Sequence, residues 1–168
     1  IVYGYEAAEG SEFNTLFVQH KLDNRGTETL TDTYTGFWTD FDLGNPSDDY
    51  VATDVERSMF YVYNGDALDE GSASGPGYGS DIPAMGIKVL AGPFQNANGV
   101  DDSAEYLELY ANESFGFNDG VIDNERRGLY SALYHNNTGG PQATWDPQLA
   151  IDYYNYSKGI WRDGTPMT

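Results

Sequence analysis

The excess of acidic side chains is the feature that most constrains how this chain folds. Its 168 residues carry 27 Asp and Glu against 8 Lys and Arg, which gives a formal net charge of −19. A chain of this length buries a sizeable core without disulfides, which suits the absence of cysteine. Folding must bring many carboxylates close together, where they repel each other unless they face water or bind a cation.

This charge balance excludes several classes of partner. A surface so negative repels phosphate backbones and anionic lipids, so we expect neither nucleic-acid binding nor membrane insertion. No apolar run reaches the ~20 residues that a membrane span needs. Divalent cations are the natural counter-charge, and solubility in a salty environment is the alternative explanation for the acidity.

The hydrophobic patterns favour strands over helices. Extended patterns occupy residues 12–22, 27–43, 50–66, 84–94 and 129–137, separated by turns and loops rich in Gly, Ser and Asp. Residues 146–161 form the one good helix pattern, with Asp146 predicted as its N-cap and Lys158 and Gly159 at its end. We predict an all-β or mainly β fold, an antiparallel, jelly-roll-like β-sandwich with long acidic loops and one C-terminal helix. Residues 1–168 are predicted to form a single domain, and a closed barrel is the alternative.

The densest acidic run lies between Asp40 and Asp66 and holds seven carboxylates and a single base, Arg57. It could be a solvated acidic face, a metal site or a catalytic carboxylate pair. Strand alternation over residues 27–43 would place Asp40, Asp42 and Trp38 on one face. The predicted metal ligands in this run are Asp40, Asp42, Asp48, Asp49, Asp54 and Glu56.

Calcium is the cation that suits this run best. Ca²⁺ takes six to eight oxygen ligands, usually carboxylates with backbone carbonyls and waters, and a strand end followed by a Gly/Asn/Asp loop supplies that mixture. The fragment "DFDLGNPSDD" opens like an EF-hand loop. The match fails because Gly44 falls one position early and Val51 stands where the bidentate Glu belongs. We therefore predict a calcium site of another type.

A second acidic loop, "FNDGVIDNERRG", offers Asp119, Asp123 and Glu125 as further metal ligands. The alternative is that Asp123 and Glu125 pair with the two arginines that follow them. A third candidate group is Asp101, Asp102 and Glu105, and its alternative explanation is a helix N-terminus, where the helix dipole favours acids.

Catalysis has less support than metal binding. Asp54 and Glu56 on one strand face would approach the ~5–9 Å separation used in glycoside hydrolysis, but the sequence around them matches no glycosidase signature. The two histidines, His20 and His135, are too few and too distant in sequence to indicate a zinc or nucleophile site. The sequence thus favours a non-enzymatic role. Trp38 is a candidate sugar-stacking residue, with core packing as the alternative.

Four motifs resemble a module of large secreted and cell-surface proteins of Bacteroidota. They are "GFWTDFDLGNPSDDYVATDVERSMFYVYNGD", "GYGSDIPAMGIKVLAGP", "NDGVIDNERRG" and "DYYNYSKGIWRDGTPMT", which extend from about residue 37 to the C-terminus. Proteins with this module often carry a type IX secretion sorting domain. The resemblance implies a secreted or cell-surface location and supplies no established activity.

Together these features predict a calcium-stabilised extracellular module, processed or excised from a larger protein. Its role would be adhesive, spacing or glycan-contacting, with glycans or cell-surface proteins as partners. The alternative is a carbohydrate-active enzyme domain or carbohydrate-binding module, and a third possibility is a structural domain of a surface filament.

Overall fold

The computed structural model describes residues 1–6, 8–10, 12–73, 75–103, 115–136 and 139–167. Its strands are short and antiparallel, and among the described residues one α-helix follows them near the C-terminus. This confirms the mainly β prediction. The contacts divide the chain into two compact units, Ile1–Thr33 and Tyr34–Thr168.

The first unit contains a two-stranded sheet. Strand β1 (Val2–Gly4) pairs with β2 (Leu16–Val18), so Tyr3 lies opposite Phe17. The Tyr3 and Phe17 rings stack with centroids 5.4 Å apart, and aromatic cross-strand pairs of this kind stabilise small sheets. Of the extended pattern predicted over residues 12–22, only these three residues of β2 form a strand.

The second unit contains a three-stranded sheet in the order β3-β4-β5, formed by Asp49–Asp54, Met59–Asn64 and Met85–Lys88. The sequence pattern treated residues 50–66 as one strand, which is wrong. Asp54 Oδ1 accepts a hydrogen bond from Arg57 N at 3.0 Å, and Ser58 N donates to Val55 O at 3.0 Å. These two bonds close a turn, since an Asp side chain that bonds a nearby backbone amide competes with strand pairing.

The two faces of this sheet differ in burial. Val62 on β4 is fully buried, and Phe60 on the same face contacts Phe41 with ring centroids 6.0 Å apart. Alternation places Tyr61 and Tyr63 on the opposite face. Asp49 lies directly opposite Asn64 at the end of the sheet, so both belong to the face that carries Val62.

Two predicted strands are absent. Residues 27–43 and 129–137 form no strand in the described part of the chain. Both segments have suitable alternation, but a strand needs a neighbour whose backbone completes its hydrogen bonds. The inference that Asp40, Asp42 and Trp38 share a strand face is therefore wrong.

The helix α1 covers Ala150–Ser157 and ends just before Lys158 and Gly159, as predicted. The predicted N-cap is wrong, because the helix begins after Leu149 rather than at Asp146. Asp152 Oδ2, inside the first turn, accepts hydrogen bonds from the amides of Gln148 at 2.9 Å and Leu149 at 3.0 Å. Asp146 instead bonds His135 Nδ1 at 2.7 Å.

Candidate cation sites at two acidic clusters

The first acidic cluster, called here the sheet-end cluster, lies where β3 begins and β4 ends. Asp48 immediately precedes β3, Asp49 is its first residue, and Asn64 is the last residue of β4. One side-chain oxygen of each, Asp48 Oδ1, Asp49 Oδ1 and Asn64 Oδ1, is buried and accepts no hydrogen bond. Buried polar atoms without a partner are rare in native proteins, so three at one sheet end require a physical cause.

A buried carboxylate, Asp69, fixes the loop that closes this cluster. Asp69 is 1% exposed, and its two oxygens accept hydrogen bonds from Asn45 N at 2.9 Å and Tyr78 N at 2.7 Å. Gly44 has a φ of +66°, and a Cβ at this position would overlap the Asp69 carboxylate. Only glycine combines this left-handed backbone with so close an approach.

The electrostatics of the cluster are unfavourable without a cation. Burial is the largest cause that raises the pKa of Asp49 above 3.8, and the neighbouring carboxylates of Asp48, Asp69 and Asp42 raise it further. A hydrogen bond from Leu43 N to Asp49 Oδ2, 2.9 Å long, opposes this shift. Among the described residues no salt bridge reaches these four carboxylates. A cation would relieve both the desolvation and the repulsion.

The remaining predicted ligands of the first run lie elsewhere. Asp54 is at the opposite end of β3, about 16 Å away at ~3.3 Å per residue. Its Oδ2 forms a salt bridge of 2.7 Å with Arg57 Nη1, and this hydrogen bond is the main cause of its lowered pKa. Glu56 is exposed in the adjoining turn, and Asp40 is exposed in the segment before the cluster. The structure therefore gathers Asp42, Asp48 and Asp49 and separates them from Asp54 and Glu56.

The Asp49 shift gives a pH-dependent prediction for the calcium-free protein. Because its folded pKa is raised above 3.8, Asp49 stabilises the fold at low pH and loses that contribution as pH rises through the folded value. Asp49→Asn is expected to raise the melting temperature in EDTA by a few degrees at neutral pH, with a smaller gain near pH 4.

Asp54→Asn is the matched control for that substitution. The pKa of Asp54 is lowered, so the control should destabilise the protein at neutral pH and lose its effect in acid. Melting curves across this pH range measure both variants. If Asp49→Asn lowers the melting temperature at neutral pH, or changes it equally at every pH, the Asp49 carboxylate does not destabilise the folded protein.

The second acidic cluster, called here the loop cluster, joins residues 98–102 to residues 118–125. Asp123 Oδ1 accepts hydrogen bonds from the amides of Asn98 at 2.7 Å and Gly99 at 2.9 Å. Asp101 Oδ2 accepts one from Gly120 N at 2.7 Å. Each loop thus supplies carboxylates that bind the backbone of the other, which holds the two segments together.

The centre of the loop cluster contains buried carboxylates and unbonded oxygens. Glu125 is 3% exposed, and its Oε1 accepts a hydrogen bond of 2.7 Å from the amide of Asp102, which is itself buried. Asp101 Oδ1 and Asn124 Oδ1 are buried and accept no hydrogen bond. The cluster therefore has the same signature as the sheet end, namely buried acceptors without donors.

The predicted residues of this loop are brought together, but all three of them already accept hydrogen bonds. Asp119 accepts hydrogen bonds from Val121 N and Asn124 Nδ2. Within the described ranges neither Asp123 nor Glu125 forms a salt bridge with the following arginines. Arg126 instead donates to Gly92 O at 3.1 Å and lies over the Phe94 ring at 3.4 Å. Glu105, from the third predicted group, lies outside the described residues.

Sequence reasoning did not nominate Asn64, Asp69 or Asn124, either as metal ligands or as residues that support them, whereas Asp101 belonged to the third candidate group. Asn64 and Asp69 come from segments that meet β3 only after folding. Asn124 lies between Asp123 and Glu125 in the second acidic loop, and Asp101 lies beside Asp102. The run of Asp and Asn residues in these loops is the sequence feature that indicates them. Trp38 is 69% exposed, so its ring is accessible, although it is not on a strand.

Neither cluster is a metal site made of carboxylates and imidazoles alone. Within the part of the chain that is described, no three His, Asp or Glu side chains are grouped closely enough to hold an ion by themselves. Any ion would therefore be held by a mixture of carboxylate, amide and backbone oxygens, which is the mixture that calcium accepts.

Comparison of the chain with protein-family models, curated proteins and solved structures finds no match. In the described residues, no helix has both the length and the apolar character needed to cross a lipid bilayer.

Proposed function

We propose that this chain is a calcium-stabilised extracellular module of a secreted or cell-surface bacterial protein. The observation that carries the proposal is the set of three buried, unbonded oxygens at the sheet end, from Asp48, Asp49 and Asn64. Each buried acceptor without a partner costs about 1–3 kcal/mol. A bound cation with oxygen ligands would remove that cost at all three atoms.

Calcium fits these atoms better than other common ions. Zinc and copper favour nitrogen and sulfur, but the chain has no cysteine and only two histidines. Magnesium requires a nearly ideal octahedral site, whereas calcium tolerates irregular sets of six to eight oxygens. Carbonyl oxygens of the loop that Asp69 fixes, together with water, would complete the coordination. The loop cluster, with Asp101, Asn124 and Glu125, would hold a second ion in the same way.

The proposed location and role rest on sequence. The resemblance to modules of secreted Bacteroidota proteins supports export, and extracellular modules use weak calcium sites of about 10⁻⁴–10⁻³ M. We propose an adhesive, spacer or glycan-contacting role without enzymatic activity, with a carbohydrate-active domain or carbohydrate-binding module as the second candidate. A single jelly-roll-like β-sandwich domain remains our prediction for the architecture.

Calorimetric titration of the chain with calcium tests the proposal. We expect saturable binding of one ion at each cluster, with dissociation constants of about 10⁻⁴–10⁻³ M. The double variant Asp48→Asn/Asp49→Asn should lose binding at the sheet end, because charge on the ligands largely sets calcium affinity. The matched control is Asp54→Asn, on the same strand but paired with Arg57, and it should bind as the wild type does. Absence of calcium binding, or undiminished binding by the double variant, would refute the sheet-end site.

A further inference from the structure

The solvent-facing side of the three-stranded sheet carries a row of three tyrosines. Register places Tyr50 on β3 directly opposite Tyr63 on β4, and Tyr61 follows Tyr63 on the same face. The ring centroids of Tyr50 and Tyr63 are 6.0 Å apart, as are those of Tyr63 and Tyr61. Tyr50 is 59% exposed and Tyr63 is 42% exposed, whereas Tyr61 is half-buried, so the row is most open to solvent at Tyr50 and Tyr63.

Two glycines beside the row leave room for these rings. Gly65 allows the Tyr50 ring to lie against the backbone, because a Cβ there would come within 2.7 Å of Tyr50 Cε2. Gly86 on β5 lies opposite Tyr61, so no side chain covers the ring from that strand. A Cβ at Gly86 would be 3.3 Å from Tyr61 Cβ. The row is therefore a continuous aromatic strip, with no side chain on β5 directly opposite Tyr61.

Aromatic cross-strand pairs also stabilise sheets, which is the simplest alternative explanation for the row. What distinguishes this row from single exposed tyrosines is that three rings follow one another along one sheet face at 6.0 Å spacings. Exposed Tyr rings with hydroxyls in water are typical of binding surfaces, where one side chain supplies both apolar contact and hydrogen bonds.

The negative charge around the tyrosine row excludes anionic ligands. The acidic sheet-end cluster lies at one end of the same strands, with Asp49 and Asn64 on the opposite face, and the whole chain has a formal charge of −19. Uronate, sulfate and phosphate groups would be repelled from such a surface. At the other end of these strands, on the tyrosine face, Asp54 bonds Arg57 and lies near Lys88, which supplies polar groups of both signs for hydroxyl recognition.

We propose that Tyr50, Tyr63 and Tyr61 form a binding strip for an uncharged polysaccharide, whose successive pyranose rings stack on the tyrosine rings. This inference rests on the glycan-contacting role in the proposed function and assigns it to a surface and a ligand class. The strip does not include the cation ligands, so the sugar is held by ring contacts and hydroxyl hydrogen bonds rather than by a metal ion.

Titration calorimetry of the intact chain in excess calcium tests the strip, with neutral xylan, cellulose and laminarin oligosaccharides and with oligogalacturonate as the anionic probe. We expect binding of at least one neutral oligosaccharide and none of oligogalacturonate. Tyr50→Ala and Tyr63→Ala should each weaken binding roughly three- to tenfold, the loss of one aromatic contact. Tyr63→Phe keeps the ring and should retain most of the affinity.

Tyr153→Ala is the matched control, because Tyr153 is an equally exposed tyrosine on α1. It should bind as the wild type does, and melting curves establish that each variant is folded. The proposal is overturned if no neutral oligosaccharide binds, if oligogalacturonate binds equally well, or if binding is unchanged in both Tyr50→Ala and Tyr63→Ala. Failure of the calcium proposal would appear separately, as a melting temperature that chelation does not alter.

Discussion

Loss of calcium from the sheet-end site alone should lower the melting temperature of this protein by about 5–10 °C. A ligand present at 100 times its dissociation constant stabilises the folded state by about 2.7 kcal/mol for each site. In a domain of 150–250 residues, 1 kcal/mol corresponds to about 2–4 °C. One occupied sheet-end site therefore accounts for the expected shift, which scanning calorimetry with calcium and then with EDTA would measure.

The same experiment contains its own controls. Magnesium in place of calcium should restore little of the lost stability, since the site offers irregular oxygen geometry. The Asp48→Asn/Asp49→Asn variant should keep only part of the wild-type difference in melting temperature between calcium and EDTA, because the loop cluster would still bind its ion. Identical melting of the wild-type protein in calcium and in EDTA would remove the basis for a calcium-stabilised module.

Removal of the Asp69 carboxylate should be the most damaging single substitution near the sheet end. Asp69→Ala leaves the amides of Asn45 and Tyr78 without an acceptor and opens a cavity at a position that is 1% exposed. Loss of the two hydrogen bonds and the cavity together should cost about 3 kcal/mol of unfolding free energy. Urea denaturation in EDTA would measure this cost without any contribution from calcium.

The neighbouring residue supplies the control for Asp69. Glu70 is exposed, and Glu70→Ala removes a similar charge while changing stability by about 0.5 kcal/mol or less. If Asp69→Ala and Glu70→Ala unfold at the same urea concentration, Asp69 does not hold the loop, and the account of the closed sheet end fails.

Local sequence patterns predicted part of this architecture. The helix near the C-terminus and strand β5 follow directly from periodicity and flanking glycines. The β3–β4 hairpin was missed because its turn contains no Gly or Pro. Its signal was the Asp54 and Arg57 pair, three residues apart, whose side-chain and backbone bonds close the turn. Strand patterns at residues 27–43 failed because alternation does not show whether a pairing partner exists.

The candidate site was predictable only where its residues are adjacent in sequence. Asp48 and Asp49 were nominated, and they carry two of the three unbonded oxygens at the sheet end. Asn64 could not be predicted without the register between β3 and β4, which places it directly opposite Asp49. Asp54 and Glu56 were grouped with them because residues 27–43 were predicted to form a strand across the sheet from these two, and residues 27–43 form no strand. An acidic composition shows that charges must be accommodated, whereas tertiary contacts decide which carboxylates meet.

The contact between Gly44 and Asp69 has a consequence for how the sheet-end cluster could be transferred to another protein. Asp69 connects the loop at Asn45 with Tyr78, so three separate segments of the chain must assemble before the cluster takes its shape. An EF-hand loop works as a continuous peptide, but a peptide of residues 40–66 lacks Asp69 and the segment around Tyr78. Grafting this cluster onto a different scaffold would therefore require the whole β-hairpin together with the segment that follows it.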